Sequence, residues 1–449
     1  MSAADGCDIL IVGAGSAGSV LAERLSVNPD RRVTVVEGGP GPGGGPDDAA
    51  VRGLCADGLS LPIGADSPVI RRYVTTLTAD PPRSAQIVRG ACVGGSGAVN
   101  GGYFCRALPS DFGTVPGWSW AEVSEHYRAV QDRITVSAIR DFASGTAAFV
   151  AAARQAGYRW LSDLSRAEDG IAAVPLNIAG GVRMGPGAAF LEPALGRPNL
   201  RLRTGTRVTR VVIAGGRAIG VETVGPGGSR RLAADAVVLS AGAVESAHLL
   251  MSSGVGPGAA LAGLGIPVLA DLPVGQRCWD HPEWVMATGR AGSTGHPVLE
   301  AVLVDRGLEV RPYTTGFGSP TAGIGVALMR PRARGRVSLV SADPEVPPRI
   351  EHRYDSEPAD VAELQRGCDL VAGIISGGTE LGEPVWSTSQ HLCGTAPMGD
   401  GRHAVVDPRC RVYGIEGLSV VDGSVLPTPL GRGPHATIAM LGHRAAEFF

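Results

Sequence analysis

The run "CDILIVGAGSAGSVLAERLS" limits the fold of this chain more than any other stretch. Apolar residues 9–12 read as a buried strand, and they lead straight into Gly13, Ala14, Gly15, Ser16, Ala17 and Gly18. Val20, Leu21 and Leu25 then recur at helical spacing. Strand, tight turn and helix in that order predict the first unit of a parallel α/β sheet. Each glycine has its own task. Gly13 permits the turn, Gly15 lets backbone N–H groups approach a pyrophosphate at the positive end of the helix, and Gly18 lets helix and strand pack closely. Ser16 and Ala17 belong to the same phosphate-facing turn. Glu37 closes the next apolar run, "VTVVE", 19 residues after Gly18, where a carboxylate accepts hydrogen bonds from a ribose diol. The pattern predicts a dinucleotide site and does not distinguish NAD from FAD.

Two later stretches bear on that choice. In "IVRGACVGGSGAVNGGYF", Gly90, Gly94, Gly95, Gly97, Gly101 and Gly102 leave backbone amides bare over a long segment. That suits contact with a bulky planar cofactor and its ribityl-phosphate arm, or else a flexible loop. In "ADAVVLSAGAVESAHLLMSSGVG", residues 236–239 read as a buried strand that ends at Ser240, Ala241 and Gly242 before another helix. Such a strand can return to the first sheet and line the adenine side.

Composition excludes several classes. With 44% apolar residues, 18% charged residues and a formal charge of -3, the 449-residue chain reads as a soluble globular protein with no electrostatic reason to seek nucleic acid. All 40 basic residues are arginine, yet no arginine run of nucleic-acid type occurs. The eight cysteines form no CxxC pair, so neither a metal site nor a disulfide framework is expected. No signal-type segment opens the chain and no uncharged apolar stretch approaches about 18 residues, so no transmembrane segment is expected and the reading is cytoplasmic.

Taken in order, the motifs resemble the glucose-methanol-choline (GMC) family of flavin-dependent oxidoreductases. "RGACVGGSGAVNGGYFCRALPSDF" is similar to the family's first signature, with Gly90, Val93, Gly94, Gly95, Ser96, Gly97, Val99 and Asn100 in place. "GAVESAHLLMSSGVG" resembles the second, from Gly242 to Gly256. "PVGQRCWDHP", "HLCGTAPMG", "VVDPRCRVYGIEGLSVVDGSVLPT" and "RGPHATIAM" follow in the family's order. The resemblance implies an α/β fold with a Rossmann-like FAD-binding domain and an interleaved α+β substrate-binding domain. The first is expected over residues 1–110, 191–285 and 386–449, the second over 111–190 and 286–385. It also implies FAD contacts at Gly101, Val208, Ala241, Asp422, Gly423, His435 and Ala436, beside the residues already named. Ala91 and Ala247 depart from the two signatures. Val99 occupies the position where some relatives carry a histidine bonded to the flavin, which implies non-covalent FAD. The chain is short for the family, notably after Arg133.

Oxidising an alcohol to a carbonyl removes a proton from oxygen and a hydride from carbon, and a flavin accepts only the hydride, at N5. An imidazole titrating near neutrality suits the proton. His391 matches the family's general base and His435 its partner position. The 44 residues between them mean that only folding can join them. Pro434 and Gly433 suit a helix entry, so His435 is expected in a first turn whose free amides face the cofactor. His281, in "WDHP", reads as structural, and His443 as a helix-face residue. A narrower likeness, carried by "GGYFCRALPSDF", "LEVRPYT" and "RIEHRYDSEPADVAEL", is to the GMC dehydrogenases associated with the mycofactocin system. It implies an alcohol substrate of cofactor type and a respiratory-chain electron acceptor, and leaves loose contact with the inner face of a membrane open. Alcohol oxidases using oxygen and flavin-containing lyases share the scaffold and remain alternatives.

Overall fold

Cys7–Val12 is apolar along its length and Leu10 and Ile11 have no exposure, as a strand covered on both faces requires. In the computed structural model, which describes residues 6–41, 48–375 and 380–449, this strand lies inside a seven-stranded sheet. Parallel neighbours flank it: Val33–Val36 on one side, then Leu200–Arg203, and Gly228–Leu239 on the other. The last of these strands is long enough to serve two sheets. Its first half pairs antiparallel with Arg217–Gly225, while its second half pairs parallel with both Cys7–Val12 and Leu418–Val420. Segments more than 400 residues apart thus end side by side at the carboxyl edge of one sheet, where open α/β sheets bind ligands.

Helix Ser16–Leu25 packs on this sheet through Ala17, Val20, Leu21 and Leu25, and the closing helix His435–Ala445 packs through Ala439, Met440 and Leu441. Gly442 shows how close the two helices come, since a Cβ there would stand 2.5 Å from the Ala17 carbonyl oxygen.

A second sheet of six antiparallel strands runs Val385–Thr388, Pro282–Ala291, Thr321–Leu328, Leu308–Pro312, Ala301–Asp305 and Gly170–Ala173. One face carries Met286, Leu308, Val310 and Val326 against helices Ser144–Gln155 and Pro358–Ile374. The period of two sends Glu283, Glu309 and Arg311 to the other face. The α/β architecture with an interleaved second sheet is the one expected.

Two segments cross the expected domain boundaries. The amphipathic helix Trp120–Gln131 buries Val123, Tyr127 and Val130 in the core of the first sheet, and the Tyr127 hydroxyl lies 2.6 Å from Thr437 Oγ1 in the closing helix. Residues 111–134 therefore pack with the dinucleotide-type sheet, whose core covers the apolar stripe of that helix. Arg349–Glu351 pairs with Ile70–Ala79 (Ile350 opposite Thr75), so a four-stranded sheet joins residues on both sides of the other boundary.

The glycines of the first turn test this packing. A Cβ on Gly18 would lie 2.1 Å from the Gly13 carbonyl oxygen, whereas one on Gly145, exposed in helix Ser144–Gln155, meets nothing within 4 Å. Gly18→Ala is expected to cost about 1–3 kcal/mol in urea denaturation, and Gly145→Ala to add about 0.5–1 kcal/mol. Equal midpoints for the two variants would contradict the packing described.

Candidate active site

The two sheets face each other across a cavity of about 1710 Å³, larger than the roughly 300–1,000 Å³ that holds one ordinary small ligand. Its length joins two chemically distinct ends.

The first end is backbone. Gly13 has φ +98° and donates its N–H to the Val36 carbonyl at 2.8 Å. Glu37 is buried, and its two carboxylate oxygens accept from Ala14 N and Gly39 N, each at 2.9 Å. Burial pushes this carboxyl above the ordinary range, and the amides of Gly39 and Ala14 pull it back. Gly95, at φ +54°, brings the second glycine run against the first: a Cβ there would stand 2.7 Å from Gly15 Cα. Gly90 is equally confined, 2.2 Å from the Gly95 carbonyl by the same measure. Asp422, after strand Leu418–Val420, ties the third segment in. Its Oδ2 accepts from Gly242 N at 2.8 Å and Ser246 Oγ at 2.5 Å, and its Oδ1 accepts from Ser424 N at 2.8 Å. Gly15, Ser16, Ala17, Gly101, Val208, Ala241 and Gly423 join these residues in the lining. Four expected residues lie behind the wall. Gly18 packs on Gly13, Val93 N bonds Pro40 O at 3.0 Å, Gly94 N bonds Ala14 O at 2.8 Å, and Ala436 is 1% exposed in the core.

The second end carries the imidazoles. His391 and His435 both line the cavity, and Gly433 links them, since a Cβ there would lie 3.5 Å from His391 Nε2. The His391 backbone N–H donates to Asp280 Oδ1 at 2.8 Å, and its Nδ1 lies 2.8 Å from His281 Nδ1. Nε2 is the ring nitrogen left toward the cavity. Burial, reinforced by His281 and Arg311, holds His391 well below the ordinary imidazole pKa. His435 opens helix His435–Ala445, whose first ladder bond is Ile438 N to Pro434 O at 2.8 Å, so the amides of His435, Ala436 and Thr437 precede the ladder. Its ring meets Phe104 edge-on at 4.9 Å. Its Nδ1 lies 3.0 Å from Asn100 Nδ2, and Asn100 Oδ1 accepts from Gly102 N at 2.9 Å. That network assigns the amide nitrogen as donor and leaves the neutral imidazole's proton on Nε2. Burial lowers the His435 pKa to about 4. His435 Nε2 is buried beside Gly97 and has no partner among the described residues.

Sequence reasoning missed the opposite wall. Arg311 Nη2 bonds Glu309 Oε2 at 2.8 Å and its Nη1 bonds Ser389 Oγ at 2.7 Å. The Tyr313 hydroxyl reaches Glu283 at 2.6 Å, and Tyr103 reaches Glu309 at 3.0 Å. The signal was the alternation in "LEVRPYT", where Glu309, Arg311 and Tyr313 share one face of a strand.

The residues fit a flavin dinucleotide. They offer a long cavity, a glycine-rich wall where side chains would collide, a buried carboxylate at one end and a buried unpartnered imidazole nitrogen at the other. Residues 7–283 and 331–442 match the two profiles described as GMC oxidoreductase. The chain belongs to the GMC oxidoreductase family. An uncharacterised GMC-type oxidoreductase of Rhodococcus erythropolis is 39% identical over 497 aligned positions, covering 99% of each chain. The oxygen-dependent choline dehydrogenase of Brucella suis is 29% identical, covering 98% of this chain and 95% of its own. Among solved structures, pyridoxine 4-oxidase from Mesorbium loti superposes with a TM-score of 0.88 at 26% identity, covering 98% of each chain. GMC oxidoreductases bind FAD and act on alcohol-type substrates, and this chain is an oxidoreductase of that family. No described helix is long and apolar enough to cross a membrane.

Glu37 gives the test of this geometry. In Glu37→Gln one acceptor becomes an NH₂ group facing a backbone N–H, so one buried donor loses its partner. A loss of about 1–3 kcal/mol is expected in denaturation of the apoprotein. An unchanged midpoint would contradict the bonding to Ala14 and Gly39.

Proposed function

We propose that this GMC oxidoreductase oxidises the CH–OH group of a small-molecule alcohol to a carbonyl, with FAD held non-covalently. Bound FAD supplies the hydride acceptor. Everything else falls to side chains and amides of this chain.

Gly13, Gly15 and the first amides of helix Ser16–Leu25 would hold the pyrophosphate, with Glu37 and Val208 toward the adenosine half. Gly95, Asn100, Gly101, Asp422 and Gly423 would follow the remaining arm. Non-covalent attachment is supported by Val99, a buried aliphatic residue with no atom able to bond a flavin. The amides at the start of helix His435–Ala445 suit negative charge developing on a reduced ring.

The observation that carries the chemistry is His391. Its Nδ1 is engaged, its Nε2 is open to the cavity, and its pKa is depressed. A neutral imidazole in that setting can take the hydroxyl proton of an alcohol at Nε2. His435, held by Asn100, is the partner imidazole, and it keeps a ring N–H at the same end of the cavity.

For the substrate, the family's alcohols are the starting set. The alcohol form of mycofactocin, with a respiratory-chain acceptor, is the narrower reading, supported by the sequence motifs named above. Residues 1–110, 191–285 and 386–449 would form the FAD-binding part, joined by 111–134, and the six-stranded sheet the substrate part.

Anaerobic stopped-flow absorbance tests the proposal. The flavin of the holoprotein should bleach with an alcohol from a panel that includes the mycofactocin alcohol, and His391→Ala should slow bleaching by about 10²–10⁴-fold while FAD stays bound. Only the unprotonated imidazole accepts a proton, so the rate must fall as pH drops through the His391 pKa. Because that pKa is depressed, the plateau should extend below about pH 6.5. A flavin that no alcohol bleaches, or a His391→Ala protein as fast as wild type, would overturn the reading.

A further inference from the structure

His281 lies directly behind His391 and has no exposed surface. Its Nε2 is 3.0 Å from the backbone carbonyl oxygen of Leu430. A carbonyl only accepts, so this nitrogen must carry a proton. Its Nδ1 is 2.8 Å from His391 Nδ1, a distance that requires one proton between the two nitrogens. In a neutral His281 with its proton on Nε2, Nδ1 is a bare lone pair. The shared proton therefore belongs to His391.

We infer that His281 is a positioning residue that holds His391 as its Nδ1–H tautomer and thereby leaves the cavity-facing Nε2 bare to accept the substrate proton. This rests on the proposed role of His391 as base. The opposite tautomer would set two lone pairs 2.8 Å apart and present the alcohol with an N–H that can take nothing.

The surroundings of His281 fix the arrangement. Asp280 Oδ1 accepts from the backbone N–H groups of both His281, at 2.7 Å, and His391, at 2.8 Å, so one carboxylate oxygen sets the spacing of the two residues. Asp280 Oδ2 is itself held by Thr388 Oγ1 at 2.7 Å and the Tyr354 hydroxyl at 3.0 Å. The rings of His281 and His391 stand nearly perpendicular, at 87°, with centroids 5.1 Å apart. Burial, opposed by Asp280, lowers His281 to about 4, which keeps it neutral near pH 7. When His391 gains the substrate proton at Nε2, its Nδ1–H bond to His281 becomes charge-assisted and so strengthens in the direction of reaction. The proton moves from the alcohol oxygen to Nε2, and the Nδ1 proton stays where it was.

The test combines spectroscopy with two variants of the holoenzyme. ¹⁵N-histidine NMR at mildly alkaline pH, assigned by loss of signals in His391→Ala, should show a pyrrole-type Nδ1 and a pyridine-type Nε2 for His391. His281→Leu removes the acceptor and should slow anaerobic flavin reduction by about 10–100-fold, with FAD content and flavin spectrum retained. His281→Asn returns an oxygen in place of Nδ1 and should recover most of that loss along with the His391 tautomer. Should the leucine variant not fold, the wild-type spectrum decides alone. A protonated Nε2 on neutral His391, or a His281→Leu enzyme as fast as wild type with an unchanged His391 spectrum, would overturn the inference. The proposed base role fails separately: if His391→Ala reduces its flavin at the wild-type rate, that reading is lost, while the tautomer signals still report on His281.

Discussion

The approach of backbone to backbone at Gly15 and Gly95 is the constraint on which the rest of this structure depends. A side chain on Gly95 would begin 2.7 Å from Gly15 Cα, and one on Gly90 would begin 2.2 Å from Gly95. Only bare backbone lets the second glycine run lie on the first turn. That contact places the residues from Gly95 to Gly102 along the open edge of the first sheet, where strand ends already gather. Asp422 adds the third segment through paired bonds to the start of helix Gly242–Ser252 and to Ser424. A cradle built in this way presents amides at fixed positions and has little conformational freedom left to lose when a cofactor arrives.

The imidazole end follows the same logic with side chains in place of backbone. His391 and His435 share one cavity, yet their surroundings pin them by different atoms. Asn100 donates to His435 Nδ1, and its own orientation is set by Gly102 N–H. His391 instead meets another imidazole, whose far nitrogen is committed to the Leu430 carbonyl. One ring thus keeps a proton on Nε2 while the other is held without one. Burial lowers the pKa of both, which keeps them neutral and makes these tautomers the states that matter.

How much of this was legible in the sequence depended on range. Gly13, Gly15, Gly18 and Glu37 sit within one βαβ unit, so their spacing together with the flanking strand and helix was informative, even though Gly13 and Gly15 also pack on Ser240 and Gly95. His391 and His435 could be paired only through the family's motif order, because no local rule links residues 44 apart. His281 read as structural because the partner that reveals its role, Leu430, is 149 residues away. The wall of Glu283, Glu309 and Arg311 was legible as the polar face of a strand, but not as a buried one, since alternation is the same whether that face meets water or a cavity. Helix Trp120–Gln131 packs across an expected domain limit for a related reason. An apolar stripe announces that it will be covered without saying by which core.

A crystal structure of the FAD-loaded protein tests the central claim most directly. The account predicts a dinucleotide along Gly13, Gly15 and Glu37, with its flavin ring beside Gly95 and Gly97 and with His391 Nε2 and His435 at the same end of the cavity. A cofactor bound elsewhere, or a His391 ring turned so that Nε2 points into the protein and Nδ1 into the cavity, would contradict it.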